Sequence, residues 1–218
     1  MPLSDELRKA NQDLWERMVT HPFVQELGDG TLPREKYQRY FLQDYLFVGT
    51  LAKVVGLAVV KAPSLEAAQP LSPFLNTLLN AENALFTRVF QDLDIPPEQY
   101  HAAQLLPTMQ AMAGFMLSTA YDGTFDDIVT ALLVTEWTYY DWATRLAQVG
   151  KRPAQKTYQE WIDIHAAQEL GDFVAALKGH VDGDIPAGAR PRLQEVFRTS
   201  LRYEYMFWEM AYHGEEWP

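Results

Sequence analysis

The sequence predicts an all-α fold, a single-domain multi-helix bundle spanning residues 1–218. Apolar residues recur at helical spacing along several long stretches, and no run alternates apolar and polar in the manner of a strand. Pro, Gly and capping residues punctuate those stretches. No Gly/Ser linker, low-complexity run or internal repeat divides the 218 residues, so one domain is expected.

In chain order, Ser4 reads as an N-cap with Asp5 and Glu6 in the first turn, and Leu7, Leu14, Trp15 and Met18 form one face of a first helix at about 4–20. HPFVQELGDGTLP, 21–33, reads as a loop around Gly28-Asp29-Gly30. Pro33 then opens the central helix, about 33–60, whose inward seam is Tyr37, Phe41, Asp44, Val48, Leu51, Val55 and Ala58. A second periodic run covers 73–93, with Glu82 among Leu75, Leu79, Phe86, Val89 and Leu93. Pro96-Pro97 end it, a short helix follows near 97–104, and Pro107 opens another through Met109, Met112, Phe115, Met116 and Leu117. After a turn at Tyr121-Asp122-Gly123, Thr124 and Asp127 form a capping-box pattern for a helix reaching about 149, where Gly150 stops it. Helices near 154–164 and 166–180 precede a last one at about 189–213.

The long helices share a defect. Their apolar seams carry Asp44, Glu82, Thr135 with Glu136 beside it, and Glu204. An unpaired charge in such a seam costs several kcal/mol, on the order of a whole domain's stability. Packing of the seams would bring these residues to one interior pocket, and the aromatic surroundings of Glu204 predict a raised pKa.

Composition narrows the partners. A formal charge of −11 and 18 scattered basic residues disfavour nucleic acid and anionic lipid. The absence of cysteine excludes disulfides, thiolate metal sites and thiol nucleophiles. The N-terminus lacks the apolar core of a signal peptide, and no segment is expected to reach the roughly 18 apolar residues of a membrane span. The expectation is a soluble cytoplasmic protein with no membrane partner.

Two chemistries suit an acidic pocket in a bundle. A carboxylate-bridged di-metal site requires Glu-x-x-His pairs, but three residues beyond Glu82, Glu136 and Glu204 stand Leu85, Tyr139 and Phe207. His21, His101, His180 and His213 fall in expected loops or helix ends, leaving His165. No metal or other cofactor is therefore expected. The other chemistry is an organic pocket, in which aromatic walls hold a flat ring and acids bind its nitrogens or move protons. The chain is 13% aromatic, and many of its rings flank the acids.

Several segments together resemble the TenA family, the thiaminase II and aminopyrimidine aminohydrolase group of the haem-oxygenase-like helical fold. They are HPFVQELGDGTLPREKYQRYFLQDYLFVG (21–49), TALLVTEWTYYDW (130–142), YQEWIDIH (158–165) and YEYMFWEMAY (203–212). The resemblance implies hydrolysis of an aminomethyl pyrimidine from thiamin breakdown to the hydroxymethyl pyrimidine used in salvage. It carries ring contact to Asp44 and proton transfer to Glu204, and places Tyr139 on an active-site tyrosine. The family's usual cysteine is replaced here by Thr135, a poor nucleophile without an adjacent base. Pocket tyrosines of the cysteine-bearing members correspond to Phe47, Met112 and His165.

The chain is similar to a cysteine-free branch associated with hydrolysis of free or formylated aminopyrimidines. Glu136 would then supply a second carboxylate, and two acids in one apolar pocket split their pKa values to give a donor and a base. The expected substrate-binding set is Asp44, Phe47, Tyr139, Met112, His165, Thr135 and Glu82, with Glu204 and Glu136 catalytic. The resemblance also implies a homo-oligomer, dimer or tetramer. The competing readings are a pyrimidine-binding protein without turnover and an oxidase of the haem-oxygenase-like superfamily.

Overall fold

The computed structural model describes the backbone of residues 1–218 and every side chain except those of residues 81–83. The seam residue Glu82 lies outside the described side chains. The chain forms α1 (Leu3–Ala10), α2 (Gln12–Val19), α3 (Pro22–Asp29), α4 (Arg34–Lys61), α5 (Leu65–Ala68), α6 (Leu71–Thr77), α7 (Asn83–Asp92), α8 (Pro97–Ala102), α9 (Pro107–Asp122), α10 (Phe125–Val149), α11 (Lys156–His165), α12 (Gln168–Val181) and α13 (Arg190–His213). A π-helical turn at Leu78–Glu82 joins α6 to α7, and a 3-10 turn at Ala187–Ala189 precedes α13.

The centre is made by α4, α9, α10 and α13, which all pack against one another. Around them α2 covers α10 and α13, α11 and α12 cover α10, and α6 and α7 lie on α4. α10 is the axis of this arrangement. Every residue from 127 to 139 is buried, the signature of a helix enclosed on all sides. It is set by the capping box, in which the Thr124 N–H donates to Asp127 Oδ2 at 2.6 Å and the Asp127 N–H to Thr124 Oγ1 at 3.4 Å. Gly150, at φ 74°, takes the left-handed conformation that ends it.

Four sequence expectations are corrected. The first helix is two: α1 and α2 break at Asn11 (φ −123°, ψ 21°), whose side-chain amide donates to the Leu7 carbonyl at 2.8 Å. Ser4 lies inside α1 and does not cap it. Its N–H and hydroxyl donate to Asp182 at 2.7 and 2.9 Å, a partner so distant in sequence that no local pattern shows it. The stretch expected as a loop contains α3, with Pro22 in its first turn and His21 Nδ1 accepting from the Phe23 N–H at 3.1 Å. Phe23, Val24 and Leu27 anchor it in the core, and Gly30, at φ 73°, is its C-cap. The periodic run at 73–93 is divided by the π turn.

α4 also corrects the expectation about membrane spans. By length and composition it is apolar enough to cross a membrane, although only 44% of its most apolar window is buried inside the bundle. Its contacts with α6, α7, α9, α10 and α13 account for apolar residues on several of its faces.

Candidate active site

A cavity of about 620 Å³ opens between the central helices and the layer formed by α6, α7, α11 and α12. α4 contributes Asp44 and Phe47 to its buried end, α10 contributes Thr135, Glu136 and Tyr139, and α13 contributes Glu204 and Phe207. The spacing of these residues places them there. Thr135 and Tyr139 are four apart on α10 and Glu204 and Phe207 are three apart on α13, so each pair shares a helix face. Val48 is only half-buried because it faces the same cavity.

Glu204 is 1% exposed, and among the described residues neither carboxylate oxygen has a hydrogen-bond partner. Burial pushes its pKa up to about 7, and the Thr135 hydroxyl offsets part of that rise. That hydroxyl also donates to the Ala131 carbonyl at 3.4 Å and makes no well-formed bond to the carboxylate. Near neutral pH Glu204 is thus poised between acid and base.

Tyr139 stands among the acids and pairs with a second phenol. Its hydroxyl lies 3.0 Å from that of Tyr40. Burial, and then the charges of Asp44, Glu204 and Glu136, hold its pKa well above the ordinary phenol value. Burial and the Asp44 charge do the same for Tyr40. Both phenols therefore stay protonated and can donate.

His165 sits at the end of α11 with its ring 5.0 Å from Tyr139 and 4.4 Å from Trp161. Its Nδ1 pairs with the Trp161 carbonyl at 2.9 Å, which assigns the proton to that nitrogen because a carbonyl only accepts. Burial lowers its pKa to about 4, against the opposing effect of that carbonyl. It is a neutral imidazole at neutral pH. Phe47 is on the cavity wall, but Met112 is not: it is buried on α9, which contributes no lining residue. α9 packs its methionines against the other central helices, so Met112 is core filler.

Sequence reasoning missed the outer half of the cavity. Phe74 of α6 stacks on Phe173 of α12, with ring centroids 4.2 Å apart at 20°. At the rim, Arg88 of α7 pairs with Glu160 of α11 at 2.6 Å, and Glu169 and Asp172 of α12 add two more carboxylates. These residues lie on short peripheral helices, where apolar spacing does not reveal which side faces a cavity. Among the described residues, no group of three or more His, Asp and Glu side chains is arranged to hold a metal ion. The site offers instead aromatic walls, carboxylates for a ring edge, protonated phenols and one acid titrating near neutrality.

The helical bundle with its acidic, aromatic-walled cavity belongs to the haem-oxygenase-like fold class. A domain from Shewanella denitrificans described as having a heme oxygenase-like fold matches 96% of this chain and 91% of its own at a TM-score of 0.76 and 12% identity. Within that class the chain belongs to the TENA/THI-4/PQQC family, whose model matches residues 8–214. An aminopyrimidine aminohydrolase from Halalkalibacterium halodurans is 30% identical, covering 100% of this chain and 98% of its own. One from Helicobacter pylori is 31% identical, covering 98% and 100%. A TenA homologue from P. horikoshii OT3 superposes with a TM-score of 0.91 at 29% identity, covering 99% and 100%.

Proposed function

We propose that this protein hydrolyses an aminopyrimidine, replacing the exocyclic amine of an aminomethyl group by hydroxyl and releasing ammonia, in the salvage of thiamin's pyrimidine. The observation that carries this reading is Glu204, an unpartnered buried acid titrating near 7, in a cavity shared with Asp44 and Tyr139. The full-length likeness to two aminopyrimidine aminohydrolases supports it.

In this mechanism Asp44 accepts hydrogen bonds from the amino-substituted edge of the ring, which lies between Phe47 and Phe207. Protonated Glu204 gives its proton to the leaving nitrogen as the methylene C–N bond breaks. Water forms the new C–O bond and surrenders a proton to a carboxylate, Glu136 or the newly ionised Glu204. Tyr139 donates to the charge that develops on that carboxylate. Thr135 stands where a thiol nucleophile would act, so water attacks directly and thiamin itself is not cleaved efficiently. The same reading includes a soluble cytoplasmic homo-oligomer, dimer or tetramer, with neither nucleic acid nor membrane as partner.

The test is incubation of purified protein with the aminomethyl pyrimidine, its formylated form and thiamin, with hydroxymethyl product followed by mass spectrometry and ammonia assayed enzymatically. Product from a pyrimidine but not from thiamin is expected. Calorimetric binding of the aminomethyl pyrimidine with no product from any of the three would replace this reading with that of a non-catalytic binder.

A further inference from the structure

We propose that the outer half of the cavity is a subsite for an apolar substituent on the exocyclic nitrogen of the substrate, so that the enzyme expels apolar primary amines as well as ammonia. This rests on the reading above and extends it from the ring to the leaving group.

Size is the first reason. An aminomethyl pyrimidine has about ten non-hydrogen atoms, whereas cavities of hundreds of Å³ enclose drug-sized ligands. A ring held on Asp44 leaves much of the roughly 620 Å³ unfilled. The walls of the remainder are the second reason. Phe74 and Leu78 from α6 and the π turn line it together with Leu170 and Phe173 from α12 and Ile164 of α11. The Phe74–Phe173 stack joins α6 and α12, which carry none of the residues given a role in the release of ammonia above. An apolar wall of this kind gains from a hydrocarbon group and gives nothing to a small polar one.

Charge is the third reason. Arg88 is engaged by Glu160, while Glu169 and Asp172 leave the rim net negative. A phosphate or carboxylate on the substituent is therefore repelled, and a neutral hydrocarbon is accepted. The step is balanced without a further reagent. The methylene C–N bond breaks, Glu204 protonates the departing nitrogen to release R–NH2, water forms the C–O bond, and its proton restores Glu204.

The experiment compares the aminomethyl pyrimidine with its N-benzyl derivative, following hydroxymethyl pyrimidine and benzylamine by mass spectrometry and binding by calorimetry. The N-benzyl compound is expected to have a kcat/KM at least tenfold higher. In the double variant Phe74→Ala, Phe173→Ala the ratio between the two compounds should fall towards one. Because the readout is a ratio within one preparation, partial misfolding lowers both values and leaves it unchanged. Turnover of the parent with no preference for N-benzyl, or a preference indifferent to the double variant, overturns the subsite and leaves the proposed hydrolysis standing. If neither compound is hydrolysed, the hydrolase reading fails and calorimetry decides the subsite. Tighter N-benzyl binding lost in the double variant upholds it, and equal or absent binding overturns it.

Discussion

Asp141 lies on α10 and Glu204 on α13, which packs against α10, yet the surroundings of the two carboxylates are opposite. Asp141 accepts from Arg8 at 2.9 Å, from Trp15 Nε1 at 2.7 Å and from Arg145 Nε at 2.7 Å. Arg145 continues to Glu16 at 2.7 Å and, chiefly through that hydrogen bond, lowers the Glu16 pKa. Glu204 has no such donor among the described residues. An acid supplied with cations and an indole N–H fastens α1, α2 and α10 together. One held among aromatic rings without them is costly to ionise, and that cost moves its titration to where proton transfer is useful. Five residues before Asp141 on the same helix, Glu136 lines the cavity, so α10 carries a structural acid and a candidate functional one.

The contrast is most sharply broken at Glu204. Glu204→Gln keeps the shape and removes the proton, so kcat should fall by about 10²–10⁴ while ring binding, measured by calorimetry, persists. If turnover survives this change, the comparison assigns the wrong acid. Asp44→Asn should act on affinity: loss of a charged acceptor at the ring edge is expected to weaken binding by about 10–100-fold. Asp141→Ala should do the reverse of both. It is expected to lower unfolding free energy in urea by about 1–3 kcal/mol and to leave kcat of the folded fraction unchanged.

Stability against pH separates the two kinds of buried group further. Glu204 has a folded pKa of about 7 against an ordinary 4.5, so its contribution to stability is fully present below 4.5 and is lost as pH rises to about 7. Glu204→Gln should therefore gain on the wild type across that interval. His165 behaves oppositely: with a folded pKa of about 4 against 6.5, its contribution is present above 6.5 and is lost as pH falls to about 4. Urea titrations of Glu204→Gln and His165→Asn at several pH values would read both slopes. The smallest effect is expected from Thr135→Val. Removing the hydroxyl that lowers the Glu204 pKa should move the alkaline limb of the kcat profile slightly upward, and a downward move would contradict that influence of Thr135.

Much of this was legible in the chain itself. Helical periodicity, the Thr124–Asp127 box and Gly150 mark α10 because caps and faces are local, set by residues within a turn or two of one another. The polar interruptions at Asp44, Thr135, Glu136 and Glu204 were visible for the same reason, since a charge in an apolar seam stands out without knowledge of its neighbours. Ser4 shows where that reasoning stops: it looks like a cap, and its true partner is Asp182. His21 was passed over because histidine seldom caps a helix, yet its Nδ1 serves α3.

Sequence alone thus determined the helical class and the acids in the seams, through spacing and the cost of burying charge. Only the tertiary structure decided that Met112 stays in the core while His165 reaches the cavity, that Asp141 is paired and Glu204 is not, and that Phe74 meets Phe173 above the acids. Each of these depends on which helix lies across from which. That choice is made by packing between residues far apart in the chain, and no local pattern encodes it.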